Sequence, residues 1–276
     1  MSTRLLKTIH ASLLAGDAIM SIYNSDDFSV EQKQDDSPLT LADKASHQIL
    51  LTGLAEINKD PILSEEGAEI DWAERQTWDR YWLIDPLDGT KEFIKRNGEF
   101  TVNVALIEKG RPILGVVYAP ALKQLYFAEQ GIGSFKMDDI STEQLGINID
   151  IDAFIAAATA LQVIPAPSST PWRIVGSRSH QSDAFKTFVA QFKAADIVSM
   201  GSSLKLCLVA EGKADLYPRL GLTSEWDTAA AQAVVEIAGG QVINVESGNA
   251  LTYNQKESLL NPFFIVCSER SDQWSY

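Results

Sequence analysis

Apolar positions in the first quarter of the chain follow a helical period. Leu5, Ile9 and Leu13, with Leu6 and Ile22, predict an amphipathic helix over residues 4–23. A polar stretch from Ser25 to Ser37 predicts a loop. After Pro38 the helical period returns from Thr40 to Leu54, with Leu41, Ala45, Ile49 and Leu50 on one side. Thr40 suits the N-cap, and Asp43 stands three residues later as the acidic member of a capping box. Trp82-Leu83-Ile84 is a short apolar run ending at Asp85-Pro86, which predicts a buried strand running into a turn. Residues 100–107, 112–118 and 124–128 follow as strands, a β-meander with Asp85 just ahead of it.

The pattern loosens over residues 138–170, where an alanine-rich helical piece gives way to Pro165, Pro167 and polar residues. A boundary is expected there, dividing the chain into residues 1–155 and 156–276. Beyond it strands and helices alternate: strand 172–176, helix 182–193, strand 196–200, helix 203–211, a strand near 214–217, helix 228–238 closed by Gly239-Gly240, then strands 241–245 and 263–267. The expected class is α/β, an α+β first half followed by an α/β second half.

Composition narrows the function. At 276 residues the chain can bury one large core or two smaller ones. Its 45% hydrophobic and 22% charged residues exclude a disordered chain. Two cysteines, Cys207 and Cys267, cannot build a disulfide framework and read as buried thiols. A formal net charge of -14 argues against a nucleic-acid-binding face. Any phosphate ligand must therefore be met by local cations or bound metal. The longest apolar stretch, around Phe154 to Leu161, falls far short of the ~18 residues of a membrane span. The first residues lack a signal peptide's apolar segment, and Ser2 excludes N-myristoylation, so a cytoplasmic protein is expected.

The chemistry concentrates in Asp85-Pro86-Leu87-Asp88-Gly89-Thr90. Two carboxylates three residues apart at a strand end can face one point, where they repel unless a divalent cation neutralises them. The plain alternative is a surface turn. Ser64-Glu65-Glu66-Gly67 ends another short apolar run, Pro61-Ile62-Leu63, and Glu66 reads as a solvated turn residue. Glu225-Trp226-Asp227-Thr228-Ala229-Ala230 opens a helix, with Asp227 a natural N-cap. If Glu65, Asp85, Asp88 and Asp227 converge, the site is oxygen-only, which favours Mg²⁺, Mn²⁺ or Ca²⁺ over zinc.

Glu65-Glu66, Trp82 through Thr90 and Trp226 through Ala230 together resemble the signature motifs of the inositol monophosphatase superfamily, in order and spacing. The similarity extends over almost the whole chain. Lys33 through Asp43, Gly89 through Arg96, Val175 through His180 and Gly201 through Lys205 resemble its bacterial 3'(2'),5'-bisphosphate nucleotidase branch; Leu39 and Leu222 depart from that pattern without touching a proposed ligand. The resemblance implies a layered α-β-α-β-α sugar-phosphatase fold. It implies Mg²⁺ as cofactor, two or three ions, held by Glu65, Asp85, the Leu87 carbonyl, Asp88 and Asp227. It implies catalytic roles for Asp43, Glu65 and Thr90, with Thr90 positioning the attacking water and Asp43 behind it. Gly89, Thr90, His180, Ser202, Lys205 and Arg219 are the implied substrate contacts.

The implied substrate is a small-molecule nucleotide bisphosphate, adenosine 3',5'-bisphosphate, cleaved to AMP and phosphate. The resemblance further implies lithium sensitivity and a role in sulfur metabolism. It also raises peripheral association with the cytoplasmic side of the inner membrane, although neither a basic amphipathic face nor a lipidation motif supports this. Lys205, Arg219 and His180 have plainer readings as surface charges and a loop histidine. Two other functions stay open: an inositol or sugar phosphatase of the same superfamily, and a catalytically silent metal- or nucleotide-binding regulator. No feature of the sequence sets the oligomeric state.

Overall fold

The computed structural model describes residues 3–25, 30–32, 38–145, 150–165, 171–176, 182–272 and 274–275. Its elements stack in five layers. The outermost holds two helices, α1 (Thr3–Tyr23) and α2 (Leu41–Ala55). Between them, β1 (Val30–Gln32) pairs antiparallel with β2 (Pro38–Thr40). The expected loop over residues 25–37 thus contains a short strand. A strand of three mostly polar residues held by its backbone ladder leaves no apolar period to read.

The second layer is a seven-stranded sheet. It contains β3 (Ile62–Ser64), β4 (Arg80–Asp88), β5 (Thr101–Glu108), β6 (Arg111–Ala119), β7 (Gln124–Glu129), β8 (Gly133–Met137) and β9 (Thr159–Ala160), in that spatial order. Only the β3–β4 pair is parallel. The short helices α3 (Trp72–Arg75) and α4 (Thr90–Ile94) flank β4, and α5 (Ile151–Ala157) precedes β9. Strands β8 and β9 extend the expected meander.

The last three layers come from the second half. A five-stranded sheet contains β10 (Trp172–Gly176), β11 (Ala195–Ser199), β12 (Leu216–Arg219), β13 (Gln241–Asn244) and β14 (Phe264–Cys267), ordered β11-β10-β12-β14-β13. Helices α7 (Leu204–Ala210) and α8 (Ala229–Ile237) lie between the two sheets, and α6 (Asp183–Val189) covers the far face. The α-β-α-β-α layering expected from the resemblance is the observed one.

Strand period explains the layering. In β4 and β5 alternate residues face opposite sides. Trp82, Ile84, Val102, Val104 and Leu106 pack with Leu5, Ile9, Leu13, Leu50 and Leu54 of α1 and α2. Tyr81, Leu83, Ala105 and Ile107 pack with Leu206, Val209, Ala230 and Val234 of α7 and α8. The middle helices also meet Val242, Phe264 and Val266, so one apolar cluster joins both sheets. Gly115 lets α8 approach closely: a Cβ there would stand 2.2 Å from the Ala230 carbonyl oxygen. Among the described residues α1 alone is long and apolar enough to cross a membrane, contrary to the expectation that no segment reaches that length. Its Leu5, Ile9, Leu13, Ala15 and Ile19 are wholly buried in the core. Each buried aliphatic of Leu or Ile size contributes about 1.5–3 kcal/mol to packing there. Cys207 and Cys267 are free, buried thiols, as expected.

Candidate active site

The site is built around an irregularity in β4. The strand runs on through Asp85-Pro86-Leu87-Asp88, beyond the expected turn, and its pairing with β5 slips between Asp85 and Asp88. Pro86 has no N–H to give a ladder, and a bulge is where a sheet tolerates it. Its carbonyl accepts the Ser46 hydroxyl of α2 at 2.6 Å. The Leu87 N–H turns back to Asp85 Oδ1 at 3.0 Å. Gly89 then adopts a left-handed backbone, φ +91°, and a Cβ there would press 3.2 Å from the Glu99 carbonyl. That conformation and clearance suit glycine alone.

Asp227 arrives from the other half of the chain. It is the third residue of a one-turn helix, Glu225–Asp227, capped by Ser224, whose N–H donates to Asp227 Oδ2 at 3.0 Å. The expected N-cap position of α8 falls instead to Thr228. The turn inserted before α8 moves the cap by one residue and leaves the Asp227 side chain aimed at the cleft. Ligand oxygens of Asp85, Asp88 and Asp227 all lie within 4.8 Å of one another. Glu65 follows β3 on its own short turn and shares a hydrogen bond with Asp85. The four expected carboxylates therefore gather, with Glu65 beside the tight trio.

Gathering them is electrostatically costly. Burial, then Glu65, Asp88 and Asp227, hold Asp85 well above the usual carboxylate range. Asp88 is pushed up to about 6 by burial, against the opposing pull of Lys205 and the Ser203 N–H. Asp227 is pushed up to about 8 by burial and by Asp88. The donor set is all oxygen, and its repulsion is of the kind a divalent cation removes. The trio could hold a metal ion, and the residues present fit one.

Behind the carboxylates stands a threonine–aspartate pair. Thr90, first residue of α4, donates from Oγ1 to Asp43 Oδ1 at 3.4 Å and lies 3.3 Å from the Leu87 carbonyl. Asp43 Oδ2 accepts from the Thr40 N–H at 2.7 Å and from its hydroxyl at 2.5 Å, completing the expected capping box. Asp43 is fully buried.

On the other side lies an open cleft lined by Asp88, Ser202, Lys205, Tyr217, Arg219 and Asp227 among others. A second cavity adjoins it, shares Lys205, Tyr217 and Arg219, and adds Val175 and Phe185. Lys205 Nζ donates to the Ser202 carbonyl at 3.1 Å, and Arg219 Nη2 to the Leu222 carbonyl at 2.6 Å. Arg219 Nε is buried with no hydrogen-bond partner among the described residues. Both cations thus line the cleft, half-buried. His180 lies outside the described residues, as do Ser177, Arg178 and Ser179.

Three further residues belong to the site: Thr101 and Asn103, which no motif includes, and Ser203, which lies in the Gly201–Lys205 motif but is not among the expected contacts. All three are buried and hydrogen-bonded around Asp88. A signal for the first two exists in β5, where they are polar, two apart in a strand otherwise apolar up to Glu108, and so on one face.

The layering and the acidic cleft define the class of protein. The chain belongs to the inositol monophosphatase family, whose model matches residues 3–272. Within it, the chain is similar to the 3'(2'),5'-bisphosphate nucleotidase CysQ of Salmonella typhimurium, 48% identical over 254 residues, 91% of this chain and 94% of that protein. The CysQ of Aggregatibacter actinomycetemcomitans is 37% identical over 276 residues, 99% of this chain and 96% of that one. The crystal structure of CysQ from Bacteroides thetaiotaomicron, a bacterial member of the inositol monophosphatase family, matches with a TM-score of 0.86 at 43% identity, covering 98% of each chain.

Proposed function

We propose that this chain is a metal-dependent 3'(2'),5'-bisphosphate nucleotidase that hydrolyses the 3'-phosphate of adenosine 3',5'-bisphosphate to AMP and phosphate. The observation that carries this reading is the placement of Lys205 and Arg219. They stand between the carboxylate cluster and a second cavity walled by Phe185, Val175 and Tyr217. A substrate with one phosphate at the carboxylates, a second anionic group at the two cations and a flat apolar ring beyond would fill this sequence of environments. The nucleotidase names of the relatives support the same assignment.

Glu65, Asp85, the Leu87 carbonyl, Asp88 and Asp227 would hold Mg²⁺, two or three ions. When bound, Mg²⁺ supplies positive charge to the transferring phosphoryl group and its leaving oxygen, and acidifies water. Residues 1–155 would contribute most metal ligands and the water-activating pair, and residues 156–276 Asp227 and the substrate contacts. The Thr90 hydroxyl, whose proton faces both Asp43 Oδ1 and the Leu87 carbonyl, would pass that proton to Asp43 as it accepts one from the attacking water. A threonine hydroxyl is a weak base alone, and the buried carboxylate behind it supplies the acceptor. Lys205 and Arg219 hold the 5'-phosphate by charge-assisted hydrogen bonds, with Ser202, Gly89, Thr90 and His180 as further contacts. The same reading includes lithium sensitivity, a role in sulfur metabolism and a cytoplasmic location. The free, buried cysteines fit a reducing compartment.

The test is phosphate release with Mg²⁺ present, comparing adenosine 3',5'-bisphosphate, inositol 1-phosphate and fructose 1,6-bisphosphate by kcat/KM. Preference for the nucleotide, abolished by EDTA, is expected. Preference for either competitor would discard the assignment of Lys205 and Arg219, and no turnover of any of the three would favour a silent binding protein.

A further inference from the structure

We propose that Thr101, Asn103 and Ser203 are positioning residues that couple metal holding at Asp88 to nucleotide holding at the Ser202–Lys205 turn; this rests on the nucleotidase reading. Cross-strand register brings the first two into place. Asn103 lies opposite Asp85 and Thr101 opposite Asp88, on either side of the β4 bulge. Every β5 residue before Glu108 is buried, and the strand carries polar side chains only at these two positions until Glu108.

Ser203 closes the link from the other half of the chain. Its N–H donates to Asp88 Oδ2 at 2.6 Å. Its hydroxyl donates to Asn103 Oδ1 at 2.8 Å and meets Thr101 Oγ1 at 2.9 Å. Asn103 Nδ2 reaches back to Asp88 Oδ2 at 3.5 Å, and Thr101 Oγ1 donates to Asn103 Oδ1 at 3.1 Å and lies 3.4 Å from Ser202 Oγ. Thr101, Asn103 and Ser203 are each no more than 2% exposed, so water cannot replace a partner that moves away.

The backbone of the turn is held just as closely. Ser202 has φ +43°, a left-handed conformation rare for a residue with a side chain, and it persists only where its surroundings impose it. A Cβ on Gly201 would stand 2.6 Å from the Glu99 carbonyl, so the turn is pressed onto the first half of the chain. The Ser202 carbonyl accepts Lys205 Nζ. A phosphate that fixes Lys205 therefore acts on the turn whose next N–H is bonded to Asp88. A cation that fixes Asp88 acts on the same N–H from the other side. Linkage requires the two effects to be equal: each ligand tightens the other by one common factor.

The experiment is calorimetric titration of Mg²⁺ into the full chain, with and without saturating AMP, which carries the 5'-phosphate and cannot be turned over. In the unaltered chain AMP tightens Mg²⁺ by about fivefold or more, the low end of common coupling factors. In Thr101→Val and in Ser203→Ala, which keeps the amide bond to Asp88, the factor falls to within about twofold of unity, while Thr101→Ser restores it. Ser203→Ala carries the test should Thr101→Val fail to fold. Undiminished coupling in the folded variants overturns the proposal. So does AMP that binds the unaltered chain without affecting Mg²⁺, and the nucleotidase reading then survives. AMP that does not bind the unaltered chain at all overturns that reading, and the proposal with it.

Discussion

Asp43 divides its carboxylate between two threonines: Oδ1 faces the Thr90 hydroxyl at 3.4 Å, and Oδ2 holds the Thr40 cap of α2. One buried residue thus serves both a helix end and the proposed water-activating pair. The two roles separate by mutation. Thr90→Val should lower kcat by about 10²–10⁴-fold, the usual share of general acid–base assistance, with KM little changed. Its melting temperature should stay near that of the parent, because Thr90 supports no cap. Asp43→Ala should lose activity and also about 0.5–2 kcal/mol of stability through the cap. Steady-state kinetics and thermal melts on the two variants check this. A full-activity Thr90→Val would remove Thr90 from the mechanism.

Metal removal should expose the strain in the carboxylate cluster, with a definite pH dependence. In the folded, metal-free chain Asp88 titrates at about 6 and Asp227 at about 8, both above the ordinary aspartate value of 3.8. Between those values the folded state binds more protons than the unfolded state, so stability falls as pH rises through this window. Bound Mg²⁺ requires ionised ligands and so competes with those protons. The melting-temperature gain from Mg²⁺ over EDTA should therefore be larger at pH 8 than at pH 6. Scanning calorimetry at the two pH values reads it directly, and a gain that shrank with pH would contradict the cluster's assignment as the metal site.

Asp85 is the buried member of that cluster, and neutralising it should trade function for stability. Asp85→Asn keeps an oxygen to accept the Leu87 N–H and removes the charge that Glu65, Asp88 and Asp227 oppose. A buried charge without compensation costs more than a neutral group of the same shape. With EDTA present the variant should melt above the parent, by about 2–4 °C for each kcal/mol relieved. It should show no further rise with Mg²⁺, and phosphate release should drop to background. A variant that melted below the metal-free parent would show that the charge at Asp85 is not a liability.

The sequence was informative where spacing alone constrains geometry. Thr40 and Asp43 stand at capping-box spacing, and the box forms. Asp85 and Asp88 flank a proline in a strand, and the bulge aims both into one cleft. What escaped has a physical cause. The strands β1 and β8 are partly polar and held by ladder bonds, so neither shows a run of apolar residues. Thr101 and Asn103 sit in a strand buried on both faces, where period conveys little. Their meaning comes from the register that sets them across from Asp88 and Asp85, and register depends on the whole sheet. Lys205 and Arg219 could not be told from surface cations until the fold carried α7 and β12 to one cleft.

Those two cations give the sharpest test of substrate choice. Among the described residues Arg219 keeps a buried Nε without a partner, and the two side chains, both lining the cleft, each bond one backbone carbonyl. Such donors are suited to an anion that brings its own acceptors. A charge-assisted hydrogen bond contributes about 1.5–3 kcal/mol, which is roughly 10–150-fold in binding. Lys205→Ala and Arg219→Ala should each raise KM for adenosine 3',5'-bisphosphate by a factor in that range. Residual turnover of a monophosphate ester, which has no second phosphate for them to hold, should change little. The contrast matters more than either number, because a general defect in metal binding or folding would depress both substrates together. Equal losses on both substrates would overturn the assignment of Lys205 and Arg219 to a second phosphate.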